Sequence, residues 1–176
     1  MDYKLEYITR MLAKISHKRL ESYVIHRIWN LLDNRDVHFV FQQYVVRKEG
    51  EYALADLYLP QINLVVEIDE PAHFRNREAD DIREREISKF VEVVRIKCYN
   101  DTDGLAEPCS LEELNRRTDT ITGVIKSRIS AWGSDFKPWK GVDTVEDIRK
   151  RGYISVDENV SLYTIDDLSL IHISEP

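Results

Sequence analysis

The stretch ALADLYLPQINLVVEIDEPAH, residues 53–73, decides how the chain is to be read. It lies in two strand-like runs, YALADLYLP and INLVVEID, and three acids are set into them. Asp56 belongs to the first run, while Glu67 and Asp69 belong to the second and stand two residues apart. Because side chains alternate across a strand, Glu67 and Asp69 project to one face and Val66 and Ile68 to the other. The spacing predicts that these three carboxylates converge at one end of a hairpin. Like charges within about 4 to 6 Å raise one another's pKa, so such a cluster is costly unless a cation neutralises it. A hard divalent ion such as Mg²⁺, which takes oxygen ligands and keeps several waters, is the economical partner. The chemistry then expected is phosphodiester hydrolysis, with the metal polarising a phosphoryl oxygen and activating water. The plain alternative is that these are ordinary strand-end acids on a solvated face. The apolar runs around Glu67 speak against it, since a carboxylate near a core is expensive without a partner.

His73 follows Asp69 by four residues and is a candidate general base or phosphate donor at the same mouth. Arg75 and Arg77 beside it are candidate phosphate contacts, as are Lys18 and Arg19 at a helix start. His26 and His38 read as structural. The run DDIREREISKF is mainly a solvated helix face whose charge pairs contribute about 0.2 to 0.5 kcal/mol each.

Outward from the central stretch, residues 2–14 and 18–32 carry helical periodicity, with Leu20, Val24, Ile28 and Leu31 as the apolar stripe of the second helix and Ser16 where an N-cap belongs. VHFVFQQYVVR, residues 37–47, is strand-like and is followed by the turn signal Glu49-Gly50. Three successive strands suggest an antiparallel meander. Residues 77–90 form a charged helix candidate, and VEVVRIKCY, residues 91–99, is a buried-type strand expected to run parallel to an earlier one. Residues 100–109 read as a loop. Ser110 and Glu113 form a capping box for a helix reaching Ala131. The expected order is ααβββαβα, an α/β fold with a mixed sheet flanked by helices.

The 176 residues, 43% hydrophobic and 32% charged, suit a soluble globular chain and exclude disordered, collagenous and membrane-spanning classes. MDYKLEYITR opens with mixed charge and is no signal peptide, and Cys98 and Cys109 lack metal-type spacing, so a reducing, cytoplasmic location is expected. The net charge of −7 argues against nucleic-acid binding through a whole-protein field. Beyond Trp132, GSDFKPWKGVD reads as a connector, followed by a short helix at 144–151 and the strand-like YISV. These residues are too few to bury a second core. Residues 168–176, LSLIHISEP, resemble a translated sequencing-library adapter and are set apart from the fold. The expected division is 1–132 as the catalytic unit, 133–167 as linker and start of a second domain, and 168–176 as an artefact that cuts the natural protein short.

Asp56, then LVVEIDE, then His73 and a D-x-R helix leading to VVRI, together resemble the PD-(D/E)xK nuclease superfamily, and within it the very-short-patch-repair-like branch. The residue two after the second acid, a lysine across the superfamily, is Asp69 here, as is normal for that branch, in which histidine takes part. YITRMLAKISHKRLESYVIHRIWNLLD, FQQYVVR and LADLYLPQINLVVEIDE resemble, more narrowly, the modification-dependent restriction endonucleases that cut DNA carrying hydroxymethylcytosine or its glucosylated form. The resemblance implies a bacterial phage-defence enzyme with an N-terminal nuclease and a C-terminal SRA-like reader that flips the modified base. It implies Mg²⁺ as cofactor, with Mn²⁺ able to substitute, and Asp56 and Glu67 as metal ligands with Asp69 and His73 assisting metal and water. The implied partners are double-stranded DNA with modified cytosine and a second copy of the chain, each subunit cutting one strand. Two other readings remain open: a mismatch or repair nickase of the same fold, and a catalytically silent DNA-binding or dimerisation module.

Overall fold

Strand residues alternating between two apolar clusters, and helical residues three and four apart, build a mixed sheet covered on one face by two helices. The computed structural model describes residues 4, 5, 7, 8, 12, 18–48, 51–71, 87, 88, 91–102, 104–141, 154 and 155. Helix α1 spans Arg19–Leu32, and helical residues precede it at Lys4, Leu5, Tyr7, Ile8 and Leu12. Strands β1 (Val40–Lys48), β2 (Glu51–Leu59) and β3 (Leu64–Asp69) follow, with a 3-10 turn at Pro60–Ile62 between the last two. Strand β4 is Glu92–Lys97, β5 is Tyr99–Thr102 and β6 is Leu105–Pro108; helix α2 spans Leu111–Trp132, and β7 is Ile154–Ser155. The main sheet runs β4-β3-β2-β1-β7, and β5 and β6 form a separate hairpin.

The meander is as expected: β1 pairs antiparallel with β2, and β2 with β3. Strand β4 lies parallel to β3, also as expected, with Glu67 beside Arg95 and Asp69 beside Lys97. The crossover between them falls mostly outside the described residues, as do the helix expected at 144–151 and residues 168–176. Within the crossover, Ile87 is helical and buried. Val24, Ile25 and Ile28 of α1, with Leu114 and Ile125 of α2, pack on Leu57, Leu59, Leu64, Val66, Ile68 and Ile96. Ile87 and Val91 join Val40, Tyr58 and Val65 in a second cluster.

Four expectations need correction. The buried face of α1 is Glu21, Val24, Ile25, Ile28 and Leu32, whereas Leu20 and Leu31 are half-buried, so the stripe is rotated by about one residue and takes in an acid. The N-cap of α1 is Lys18, which has no side-chain cap bond, and Ser16 lies outside the described residues. Residues 100–109 are largely the β5–β6 hairpin, which turns through Gly104 at φ 80°. Its polar strands lack the alternation that marks a half-buried strand, although Asp103-Gly104 is a hairpin turn signal. At α2 only half of the capping box forms. Ser110 Oγ accepts the Glu113 amide, while the Glu113 carboxylate turns to Arg116 and Arg117, which hold its pKa down at about 2.

The segment after α2 lies against the core. Trp139 stacks on His38 at 4.7 Å between ring centroids, meets the edge of Tyr7, and donates its backbone N–H to Asp36 O. Ile154 and Ser155 extend the sheet, pairing parallel with Val45 and Val46 of β1.

Candidate active site

The regular alternation of β1 and β2 changes phase partway along both strands, apart from the register shift between Val46 and Lys48. Phe39, just before β1, and Phe41 on it pack with the helices and Val40 with the opposite cluster, yet Val45 also belongs to the opposite cluster. On β2, Leu57 and Leu59 pack with the helices, whereas Tyr58 and Ala55 lie on the other side. The β2 slip falls between Ala55 and Leu57 and the β1 slip between Phe41 and Val45, and in register Gln42 stands opposite Asp56 at this fault, between the pairs Phe41–Leu57 and Gln43–Ala55. Gln42 has φ 52°, a left-handed conformation that costs a non-glycine residue roughly 1 to 2 kcal/mol. Strain of this kind is concentrated at functional sites.

At the fault, Asp56 reaches the neighbouring strand. Its Oδ2 accepts the Ile68 backbone N–H at 2.8 Å, just beyond the last β2–β3 pair, Leu57–Val66. Its Oδ1 faces Lys18 Nζ at 3.7 Å and Gln42 Nε2 at 3.4 Å. Gln42 Nε2 also donates to Glu21 Oε1 at 2.8 Å, and Lys18 Nζ bridges to Glu21 Oε2 at 2.8 Å. Glu21 is 2% exposed. Burial, and then the charge of Asp56, push its pKa up to about 7, with Lys18 pulling the other way.

Glu67 and Asp69 share the face of β3 opposite Val66 and Ile68, and both are buried. Arg95 lies beside Glu67 in register and closes on Asp69, Nη1 to Oδ1 at 2.7 Å. The next residue, Glu70, turns back to α1, and its Oε1 accepts the Leu20 amide at 3.1 Å and the Glu21 amide at 3.2 Å. A carboxylate from the end of β3 thus caps a helix some fifty residues earlier, satisfying two of its orphan donors and lying at the positive end of its dipole. This clasp holds the acids of β3 against the helix start that carries Lys18 and Glu21.

Of the residues singled out from sequence, Asp56, Glu67, Asp69 and Lys18 are in this region, and Arg19 is exposed at the start of α1. His73, Arg75 and Arg77 lie outside the described residues. Glu21, Gln42, Glu70 and Arg95 were not foreseen. Only Glu21 carries a signal in the sequence, since it shares a helical phase with Val24, Ile25 and Ile28. Among the described residues no three His, Cys, Asp or Glu side chains are gathered closely enough to hold one metal ion. Asp69 is engaged by Arg95, and the expected three-carboxylate convergence is not formed among the described residues. The donors are nonetheless hard oxygens, and Mg²⁺ is commonly held by one or two carboxylates with water and phosphate completing its shell. Asp56 and Glu67 fit that minimal requirement in kind.

The family model described as restriction endonuclease PvuRts1 I-like, N-terminal, matches residues 5–147. Among solved structures, the 5-hydroxymethylcytosine-specific restriction enzyme AbaSI is similar, with a TM-score of 0.62 and 28% sequence identity. The match covers 81% of this chain and 51% of that one, so the chain spans about half the length of the enzyme it resembles. No curated protein matches significantly.

Proposed function

Because this chain belongs to the PvuRts1 I-like N-terminal family of restriction endonucleases, we propose that it is the catalytic domain of a Mg²⁺-dependent endonuclease acting on double-stranded DNA with hydroxymethylated or glucosylated cytosine. Mn²⁺ substitutes for Mg²⁺. The observation that carries the reading is Asp56 at the sheet fault, fixed through one oxygen by the Ile68 amide and leaving its other oxygen to the charged cluster. Asp56 and Glu67 would hold the metal, which would supply Lewis-acid polarisation of the phosphoryl oxygen and a water of lowered pKa. Each remaining role falls to the protein. The Ile68 amide orients Asp56, Arg95 neutralises Asp69 beside Glu67, and the Glu70 clasp sets the distance between β3 and α1. His73 takes the proton of the attacking water, and Arg75, Arg77 and Arg19 hold flanking phosphates. Recognition of the modified base belongs to an SRA-like reader in the whole enzyme, which acts in bacterial phage defence, and a homodimer places one site on each strand.

The test is nicking of supercoiled DNA, with and without glucosylated hydroxymethylcytosine, by the whole reader-bearing enzyme in Mg²⁺, since the nuclease domain alone should cut poorly and without discrimination. Modified DNA is expected to be cut faster, and Asp56→Asn, which keeps an acceptor for Ile68 N–H, is expected to abolish cutting without moving the melting temperature by more than a few degrees. Equal cutting of both substrates would sink the modification claim. Equal cutting by wild type and Asp56→Asn would sink the catalytic assignment.

A further inference from the structure

We infer that Lys18 is a catalytic residue, its ammonium donating a hydrogen bond to a nonbridging oxygen of the scissile phosphodiester. The inference rests on the nuclease reading above. Three observations carry it. First, Lys18 Nζ stands in the carboxylate cluster, 2.8 Å from Glu21 Oε2 and 3.7 Å from Asp56 Oδ1. Second, it forms the wet side of that cluster, for its side chain is 43% exposed while those of Glu21 and Asp56 are 3% and 11% exposed. A DNA strand approaching Asp56 from solvent therefore reaches this ammonium on the way. Third, its backbone is anchored while its side chain is not enclosed. Lys18 O accepts the Ser22 amide at 2.8 Å, and the amides of Leu20 and Glu21 are clasped by Glu70.

An ammonium has three N–H donors. Among the described residues Glu21 takes one at 2.8 Å, while Asp56 at 3.7 Å is an ion pair beyond hydrogen-bond reach, so donors remain for an incoming oxygen. When water oxygen bonds to phosphorus and the leaving oxygen departs, negative charge spreads over the nonbridging oxygens, and a preorganised cation there stabilises the transition state. Lys18 transfers no proton in this step. Arg95 is less suited, since its Nη1 is already held by Asp69 and its side chain is only 20% exposed.

The test compares Lys18→Met and Lys18→Arg with wild type, using single-turnover cleavage of glucosylated DNA in Mg²⁺ and thermal melting to confirm that each variant is folded. Lys18→Met should lose about a hundredfold in kcat, the scale of removing one charge-stabilising donor, with KM within about threefold. Lys18→Arg should recover at least about tenfold of that loss, because it restores the cation. A kcat for Lys18→Met within threefold of wild type overturns the inference, whatever KM does, and so does an arginine variant no faster than the methionine one. A readout independent of turnover uses the chain grown with lysine ¹³C-labelled at Cε, which leaves the ammonium donors intact. The Lys18 resonance, assigned by its loss in Lys18→Arg, should shift when a short duplex is added in Ca²⁺. A resonance that the duplex leaves unmoved also overturns the inference. Failure of the nuclease reading looks different: wild type and Asp56→Asn would then be equally inert, and the role of Lys18 would fall with that reading.

Discussion

Removing the Glu70 carboxylate should unfasten the candidate site and cost measurable stability. Glu70 Oε1 accepts two amides in the first turn of α1 from a position fifty residues away, so Glu70→Ala strips the helix of its cap and of an anion at its positive end. Loss of an N-cap costs about 1 kcal/mol, and loss of a favourable charge at the helix start adds about 0.5 to 1 kcal/mol. The sum is about 2 kcal/mol, or about 4 to 8 °C in melting temperature for a chain of this size. Glu70→Gln keeps an acceptor oxygen and should lose only the charge component, about 0.5 kcal/mol. Ser110→Ala makes a useful comparison, because it removes an ordinary local cap, Ser110 Oγ to the Glu113 amide at 3.1 Å, at a cost of about 1 kcal/mol. Equilibrium urea denaturation of the three variants gives the ranking, and cleavage gives its functional meaning. Both Glu70→Ala and Ser110→Ala weaken a helix start, but only the former should slow cleavage, since only α1 carries Lys18 and Glu21. A Glu70→Ala variant within about 0.3 kcal/mol of wild type, or one that loses stability no differently from Glu70→Gln, would refute the cap.

Glu21 should make the metal-free protein less stable as pH rises. Its folded pKa of about 7 stands above the usual carboxylate value, so the folded state holds the proton more tightly than the unfolded one. Its contribution is fully present below about pH 4.5 and is lost as pH rises through about 7. In a chelator-containing buffer, Glu21→Gln should flatten this dependence in urea midpoints taken between pH 5 and 8; an unchanged slope would count against the burial argument. The Arg95–Asp69 pair should behave as a coupled unit. Arg95→Met and Asp69→Asn should each cost about 2 to 3 kcal/mol by leaving a charge under-compensated near the core, and the double variant should cost less than their sum by about 1 to 3 kcal/mol. Additive costs in a double-mutant cycle would show that the two side chains do not interact.

The meander and the parallel return of β4 were legible because apolar alternation and length fix each strand on its own. Leu57 and Leu59, and likewise Leu64, Val66 and Ile68, appear on one face as their spacing requires. The β5–β6 hairpin was not legible. Asn100, Asp101 and Thr102 are exposed, so no burial shaped their pattern, and only the Asp-Gly pair marks the turn. The phase of α1 was misread for a related reason. Counting only apolar residues put Leu20 and Leu31 on the stripe and left out Glu21, a buried acid that belongs to the face for the sake of its charge partners.

The site divides along the same physical line. Alternation along β3 puts Glu67 and Asp69 on one face, a short-range rule that needs no tertiary information, but it does not place Asp56, which sits where the alternation of β2 slips. The groups that give them their electrostatic setting come from elsewhere: Lys18 and Glu21 from the start of α1, Gln42 from the opposite side of a sheet fault, and Arg95 from the parallel neighbour strand. Nothing local predicts that Gln42 adopts a left-handed conformation, because the cost of that φ is offset by contacts made across the fold. Glu70 shows the dependence most directly. In sequence it is one more acid after Glu67 and Asp69, a candidate to crowd the same cluster. In the fold its carboxylate caps a helix terminus, near enough to Lys18 for its charge to act there as well. The number of acids in EIDE is therefore a poor guide to the charge at the site: Glu70 is taken up by α1, Asp69 is held by Arg95, and Asp56 shares the ammonium of Lys18 with Glu21. A chain with a net charge of −7 presents a cation toward solvent at the carboxylate it is proposed to use for cutting a polyanion. The ammonium offsets part of the acid charge at that point, an effect set by pairing and by no feature of composition.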